Sequence, residues 1–250
     1  MIKNIWRTII PVNFREIISF EYKVLNFNLM AIFTVERIYN KLCKSIDHSS
    51  INYLNSKYRA QIIADPECAA KYSNVGFWLR QNVLRAVKLN LDKNKIIKIL
   101  DIGCGPGYFL AVLKYLGHDA LGLDAPDNYL TPTEIEVFRE INTSLTTNRQ
   151  RIPIISNTKT EIDQGFDLIT SFLVCFNNHK RVDEWTKTEW EYFVNDMKSK
   201  LNYGGLIHLE LNENIQKYGD LKYYDQDTLS YFESVGKVKK NVITIEKNKK

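Results

Sequence analysis

The sequence predicts an α/β fold: a doubly wound sheet of seven strands, mostly parallel, with an antiparallel C-terminal edge strand and an N-terminal helical extension. Three observations predict it. A continuous apolar run, "IIKILDIG", ends in an acid and a glycine-rich loop, and is followed by a helical pattern and a second apolar run, "DALGLD". Strand-like and helix-like segments keep alternating to the C-terminus, as a parallel sheet with crossover helices requires. The final stretch, "KVKKNVITIEK", has short β-patterned runs on both sides of Asn241, the signature of a closing hairpin rather than another crossover.

The first 45 residues are aromatic-rich and helix-patterned after Pro11, with Phe14, Ile17, Ile18 and Tyr22 at helical intervals. Two readings fit. Trp6, Ile9 and Ile10 with Lys3, Arg7 and Arg15 suit a helix lying on an anionic membrane surface. Glu16, Glu21 and Glu36 dilute that basic face and favour a cap packed on the domain, or a homodimer surface. The chain is therefore divided near residue 70, into an extension of residues 1–70 and a domain of residues 71–250. In "YSNVGFWLRQNVLRAVKLNL", Phe77, Leu79, Val83, Leu84 and Val87 define one side of a helix, with Ser73 or Asn74 as its cap.

The first strand is "IIKILDIG"; the helix after it spans Tyr108 to Leu116 and stops at Gly117, a left-handed capping position. "DALGLD" is the second strand and "TPTEIEVFREINTSL" the next helix. "RIPIIS" is a short third strand and "GFDLITSFLVCF" the fourth. Trp185 to Leu201 form a helix, "GGLIHLELN" the fifth strand and "DTLSYFESVG" the last helix.

Composition narrows the function. A formal charge of +5 over 250 residues is modest and its basic residues are scattered, apart from the stretch Lys237 to Lys250, whose lysines suit a solvated tail; no zinc-finger or RNA-binding pattern is present, so nucleic acid is not the expected partner. Cys43, Cys68, Cys104 and Cys175 are widely spaced, which indicates reduced thiols and neither a zinc ribbon nor a disulfide framework. No signal-peptide pattern and no apolar run approaching the roughly 18 residues of a membrane span occurs. The expected location is the cytoplasm, with its membrane face left open by the N-terminal helices.

The glycine loop carries the most specific signal. Gly103, Gly105 and Gly107 fall on alternate positions, whereas the dinucleotide fingerprint would place its third glycine one residue later, at Tyr108. "LDIGCGPG", the acid Asp124 closing the second strand, "FDLITS" and "LNYGGLIHLE" together resemble the ordered motifs of class I S-adenosylmethionine-dependent methyltransferases, over about Tyr72 to Glu246. Tyr203 stands where that family more often has proline. The resemblance implies a Rossmann-like domain and S-adenosyl-L-methionine as cofactor, with no metal.

It also implies roles. Gly103, Gly105 and Gly107, with Cys104 and Tyr108 in the same loop, would make room for the methionine part; Asp101 would answer its ammonium group; Asp124, beside Ala125, would accept from the ribose hydroxyls. Asn157 and Phe172 complete the expected cofactor set, Asn157 near the adenine with Ile155 as an apolar wall. A tight turn with two capping aspartates is the plainer alternative. In "FLVCFNNHKRVDEW", where the family brings substrate to the methyl, His179 and then Asp183 are the candidate bases, and a surface role suits either equally. Asn177, Asn178, Asn212 and Asn214 could line a polar pocket or serve turn geometry, and His208 and Glu210 give the fifth strand an unexpectedly polar face. "SFLV" argues against an acceptor motif of the N-P-P-Y type. "IWRTIIPVNFRE" resembles N-terminal stretches of bacterial envelope-polysaccharide enzymes, which implies O-methylation of a sugar, glycan or other small polar acceptor. A different small-molecule acceptor, or cofactor binding without catalysis, stays open.

Overall fold

A computed structural model describes residues 29–65, 69–93, 95–127, 130–152, 154–155, 157–174, 176 and 184–248. The N-terminal pattern at Phe14, Ile17, Ile18 and Tyr22, the set at Trp6, Ile9 and Ile10, Cys68 and Cys175, and His179 and Asp183 with Asn177 and Asn178 lie outside the described residues.

The described chain opens with α1 (Leu29–Lys44), α2 (Ser49–Lys57) and α3 (Arg59–Ala64), then a 3-10 turn (Ala69–Ser73) and α4 (Val75–Lys88). The first crossover follows as β1 (Lys98–Ile102), α5 (Tyr108–Tyr115) and β2 (Asp119–Leu123), then α6 (Pro132–Leu145), β3 (Arg149–Gln150) and β4 (Phe166–Phe172). The remainder is α7 (Lys187–Lys200), β5 (Leu201–Glu210), α8 (Ile215–Tyr218), α9 (Gln226–Val235), β6 (Lys237–Lys239) and β7 (Val242–Glu246).

The seven strands lie in the order β3-β2-β1-β4-β5-β7-β6. All pairings from β3 to β5 are parallel, and the hairpin of β6 and β7 closes the sheet with antiparallel pairings. The order reverses between β1 and β4, and the carboxyl ends of the strands at such a reversal are where doubly wound sheets take ligands. In register, Asp101 lies beside Thr170 and Thr170 beside His208, so these three share one face of the sheet. Their neighbours Leu100, Ile102, Ile169, Ile207 and Leu209 point to the other face, into a core with Trp190, Phe193 and Phe232.

The face that carries Asp101 is covered by α4 and α5, and Val35, Ile38, Leu42, Ile51 and Leu54 of α1 and α2 are buried in that same core. Arg80 bonds Glu36 at 2.8 Å and lies 3.9 Å from the centroid of Tyr39, while Lys57 and Tyr58 both bond Glu136 on α6. No helix among the described residues is long and apolar enough to cross a membrane.

Two local expectations change, and one stated alternative is decided. The third strand is Arg149–Gln150 rather than "RIPIIS": among the described residues β2 pairs with it at Gly122↔Arg149 and Leu123↔Gln150. Asn74, not Ser73, caps α4 by accepting from the amide of Phe77 at 3.2 Å; the Ser73 hydroxyl donates to the carbonyl of Ala70. Phe77 leaves the apolar side of α4 and is exposed, because it lies about 200° around the helix from buried Leu79. Gly117 does adopt the left-handed conformation expected of it (φ 87°), with the amide of His118 bonded to the carbonyl of Leu113 at 3.0 Å.

Candidate functional site at the switch point

The glycine loop connects β1 to α5, and its conformation explains its composition. Gly103, Gly105 and Gly107 have φ of 70°, 52° and 92°, all in the left-handed region where a side chain is strained. Their surroundings differ. A Cβ on Gly103 would meet Val174 at 2.2 Å and one on Gly107 would meet Thr147 at 2.6 Å, but one on Gly105 would meet nothing within 4 Å. The first and third glycines are thus required by packing, and the middle one borders open space. Bonds from the amides of Gly103 and Cys104 to the carbonyl of Leu123, at 2.8 and 3.0 Å, tie the loop to the end of β2.

Tyr108, at the position of the missing third glycine, is buried at the start of α5, and its hydroxyl donates to the carbonyl of Tyr72 at 2.7 Å. Its side chain therefore pins the 3-10 turn to the loop, leaving only its backbone amide at the helix N-terminus. The Cys104 thiol is buried as well, and burial pushes its pKa well up, so it is inert at neutral pH.

Two carboxylates flank the loop. Asp101 is 3% exposed and accepts a hydrogen bond from the Thr170 hydroxyl at 2.7 Å. Burial pushes its pKa up to about 7, against the pull of the Thr170 bond and of the Arg85 charge. Arg85 reaches from α4 to lie 3.8 Å from Glu210 and 4.4 Å from the centroid of Phe172. The Phe172 ring also packs edge-on against Phe109 and 5.7 Å from the His208 ring. Burial lowers the His208 pKa, with a further push from Arg85, so its imidazole is neutral at pH 7.

Asp124 is held differently. Arg149 Nη2 donates to its Oδ2 at 2.6 Å, Arg151 Nη1 stands 3.7 Å from the same oxygen, and Arg151 also bonds the Ala125 carbonyl at 2.8 Å and Asp127 at 2.9 Å. Burial raises the Asp124 pKa and the two arginines oppose the rise.

Asn157 is exposed with a left-handed backbone (φ 54°), and its amide lies 3.4 Å from Glu189 at the start of α7; Ile155 is exposed. Asn212 donates to the carbonyls of Leu173 and Val174, and Asn214 caps α8 and bonds Glu184 at 2.9 Å, so both shape the chain after β4 and β5. The structure thus brings together Asp101, the glycine loop, Asp124 and Ala125, places Phe172 under Arg85, and sets Asn157 apart on a loop.

Sequence reasoning missed Arg85, Arg149, Arg151 and Thr170. Arg149 and Arg151 stand two residues apart, the spacing that puts side chains on one face of an extended chain, and this was the readable signal for them.

No protein-family model and no curated protein matches the chain. Solved structures resemble it in fold. S-adenosylmethionine-bound CalS10, an amino pentose methyltransferase from Micromonospora echinaspora, aligns at 19% identity over 57% of this chain and 54% of its own, with a TM-score of 0.41. A TehB-like S-adenosylmethionine-dependent methyltransferase from Corynebacterium glutamicum aligns at 20% identity over 65% and 86%, with a TM-score of 0.44. DesVI of Streptomyces venezuelae aligns at 12% identity over 82% and 99%, with a TM-score of 0.47. This chain spans about half the length of CalS10. The strand order itself, rather than these likenesses, carries the fold. Fold and site together define a doubly wound α/β protein whose switch point carries a glycine loop flanked by two carboxylates.

Proposed function

We propose that this protein is an S-adenosylmethionine-dependent methyltransferase acting on a small polar acceptor. The observation that carries the reading is the pairing of an open glycine loop with two flanking carboxylates, Asp101 and Asp124, each opposite a cation of the protein. A pyrophosphate would meet this acidic rim as an anion. A ligand with an ammonium group, a sulfonium and a ribose diol meets it favourably. Gly105 gives the backbone room to approach such a ligand, Asp101 answers its ammonium group, and Asp124 accepts from its ribose hydroxyls. When bound, S-adenosylmethionine supplies a methyl on an already activated leaving group, so the task left to the chain is alignment and, for a hydroxyl acceptor, proton removal.

The finer proposal is O-methylation of a sugar or glycan intermediate in cell-envelope polysaccharide synthesis, in the bacterial cytoplasm, with His179 as general base and Asp183 as second candidate. Its support is the likeness of "IWRTIIPVNFRE" and of "FDLITSFLVCFNNHK" to enzymes of that setting. Residues 1–70 act as a cap on the methyltransferase domain of residues 71–250, with a membrane-surface or homodimer contact as their further role. The test is calorimetric binding of S-adenosylmethionine, followed by transfer of labelled methyl to a panel of sugars, nucleotide sugars and non-sugar hydroxyl compounds. Absence of cofactor binding sinks the whole reading; binding with transfer only to non-sugars sinks the finer part.

A further inference from the structure

We propose that Arg149 is a positioning residue for ribose recognition: it fixes the Asp124 carboxylate through Oδ2 and leaves Oδ1 for the diol. The inference rests on the cofactor reading above and extends it to a residue outside the resemblance.

The geometry is specific. Both guanidinium contacts to Asp124, from Arg149 at 2.6 Å and Arg151 at 3.7 Å, fall on Oδ2; the carboxylate also accepts from the backbone amide of Ala125, and Oδ1 has no side-chain partner among the described residues. The two-residue strand β3 is what delivers Arg149: Gly122↔Arg149 is one of its two register pairs, and the Asp124 amide bonds the carbonyl of Gln150 at 3.1 Å. Burial is nearly complete, with side-chain exposures of 5% for Arg149 and 10% for Asp124.

Stability does not explain this arrangement. Arg149 Nε is buried without a hydrogen-bond partner, and an unmade bond of that kind costs the fold stability. A buried ion pair is itself weak evidence for stability, since desolvation offsets its Coulomb gain. An arginine that a core would do better without is accounted for if its work is to orient a carboxylate that a ligand needs.

The rest of the charge pattern selects the ligand. Arg151 faces Asp127 as well as Asp124, so the two arginines meet two aspartates in one chain. A 2′-phosphate, which dinucleotide enzymes take with an arginine, would have to break one of these pairs. A neutral diol breaks none, because Oδ1 and the second lone pair of Oδ2 remain to accept.

The same environment makes the role measurable. Asp124 is faced by Arg149 from β3, by Arg151 just beyond it, by Asp101 from β1 and by Cys104 from the glycine loop, with Asp127 on its own loop. Burial, and the charge of Asp101, oppose its ionisation; Arg149 is the strongest opposing influence. Removing that cation therefore leaves Asp124 protonated to a higher pH, with an O–H where the ribose needs an acceptor.

The experiment titrates S-adenosylhomocysteine into the full chain and its Arg149→Met and Arg149→Lys variants, by calorimetry from about pH 6.5 to about pH 9. The readout is the variant-to-native ratio of dissociation constants; Asp101 is present in every protein, and its coupling to the charge of Asp124 is part of what the ratio reports. For Arg149→Met the expected ratio is above one and largest at the acid end, falling towards one as pH rises and Asp124 ionises unaided. Arg149→Lys keeps the cation and stays near one throughout. A ratio for Arg149→Met that is near one at every pH, or equally large at every pH with a native melting profile, overturns the proposal. Should the Met variant not fold, a tenfold pH-independent loss in Arg149→Lys overturns it too, since that charge is retained. If the native protein itself binds no S-adenosylhomocysteine, the cofactor reading fails and this inference with it; native binding with a flat ratio removes only the role of Arg149.

Discussion

Asp101 is one group through which pH enters the stability of this fold, and Asp101→Asn isolates its contribution. The substitution keeps an oxygen to accept from the Thr170 hydroxyl, now 2.7 Å away, and removes the buried charge. Burial is the main cause of a folded-state pKa of about 7 in place of 3.8, the Asp124 charge adding to it. At about 1.4 kcal/mol per pH unit, that difference makes ionised Asp101 cost the native state on the order of 4 kcal/mol. The native state holds the proton more tightly than the unfolded chain, so the protonated carboxyl's advantage is fully present below about pH 4. It is lost as pH rises to about 7 and changes no further above that. The Asn variant has no such loss. Urea unfolding of both proteins should give a variant-minus-native free energy that climbs by on the order of 4 kcal/mol between about pH 4 and about pH 8. The same variant should bind S-adenosylhomocysteine poorly, a gain in stability set against a loss of function. A difference that does not change with pH would refute the argument, and so would a variant less stable than the native protein at about pH 8.

Four further outcomes follow from the same geometry. Asp124→Ala should weaken S-adenosylmethionine binding by about 1.5–3 kcal/mol, the scale of a hydrogen bond to a charged group; unchanged affinity in a folded variant excludes Asp124 from the site. Gly105→Ala should cost about 1 kcal/mol in thermal or urea melting but reduce cofactor affinity by more than that, since its new Cβ meets only open space. Gly103→Ala, whose Cβ would strike Val174 at 2.2 Å, should melt lower than Gly105→Ala, and the reverse ranking contradicts the roles given to the two glycines. Tyr108→Phe should lose about 1 kcal/mol of stability with the bond to the Tyr72 carbonyl and keep cofactor affinity; lost affinity at native stability would move that hydroxyl into the site.

The legibility of this chain in its sequence tracks the range of the interactions involved. β1, the glycine loop and α5 are local: apolar run, acid, left-handed glycines and a capping Gly117 follow one another within twenty residues, and each is visible from its neighbours. β3 was misplaced because its two pairs to β2 are set by where α6 ends, and its side chains show no strand periodicity of their own. Phe77 was misplaced because an aromatic residue near the start of a helix counts as apolar in any pattern, while only the packed helix shows which side faces α1. Tyr108 was grouped with the cofactor ligands by position, and tertiary packing turned its ring inward against the turn that ends at Ser73. Arg85 and Arg149 were invisible for a stronger reason. Their partners Asp101 and Glu210, and Asp124, stand between 16 and 125 residues away in sequence, and a buried arginine has the same letters as a solvated one. Burial is what gives the site its chemistry: in water Asp101 and Asp124 would both be plain anions above pH 5, and Arg85 and Arg149 would be irrelevant to them. Once the sheet closes over them, ionisation of each carboxylate depends on groups from distant elements, Thr170 and Arg85 for Asp101 and Arg149 with Arg151 for Asp124, so the sequence can name the acids but only the fold can say what opposes their burial.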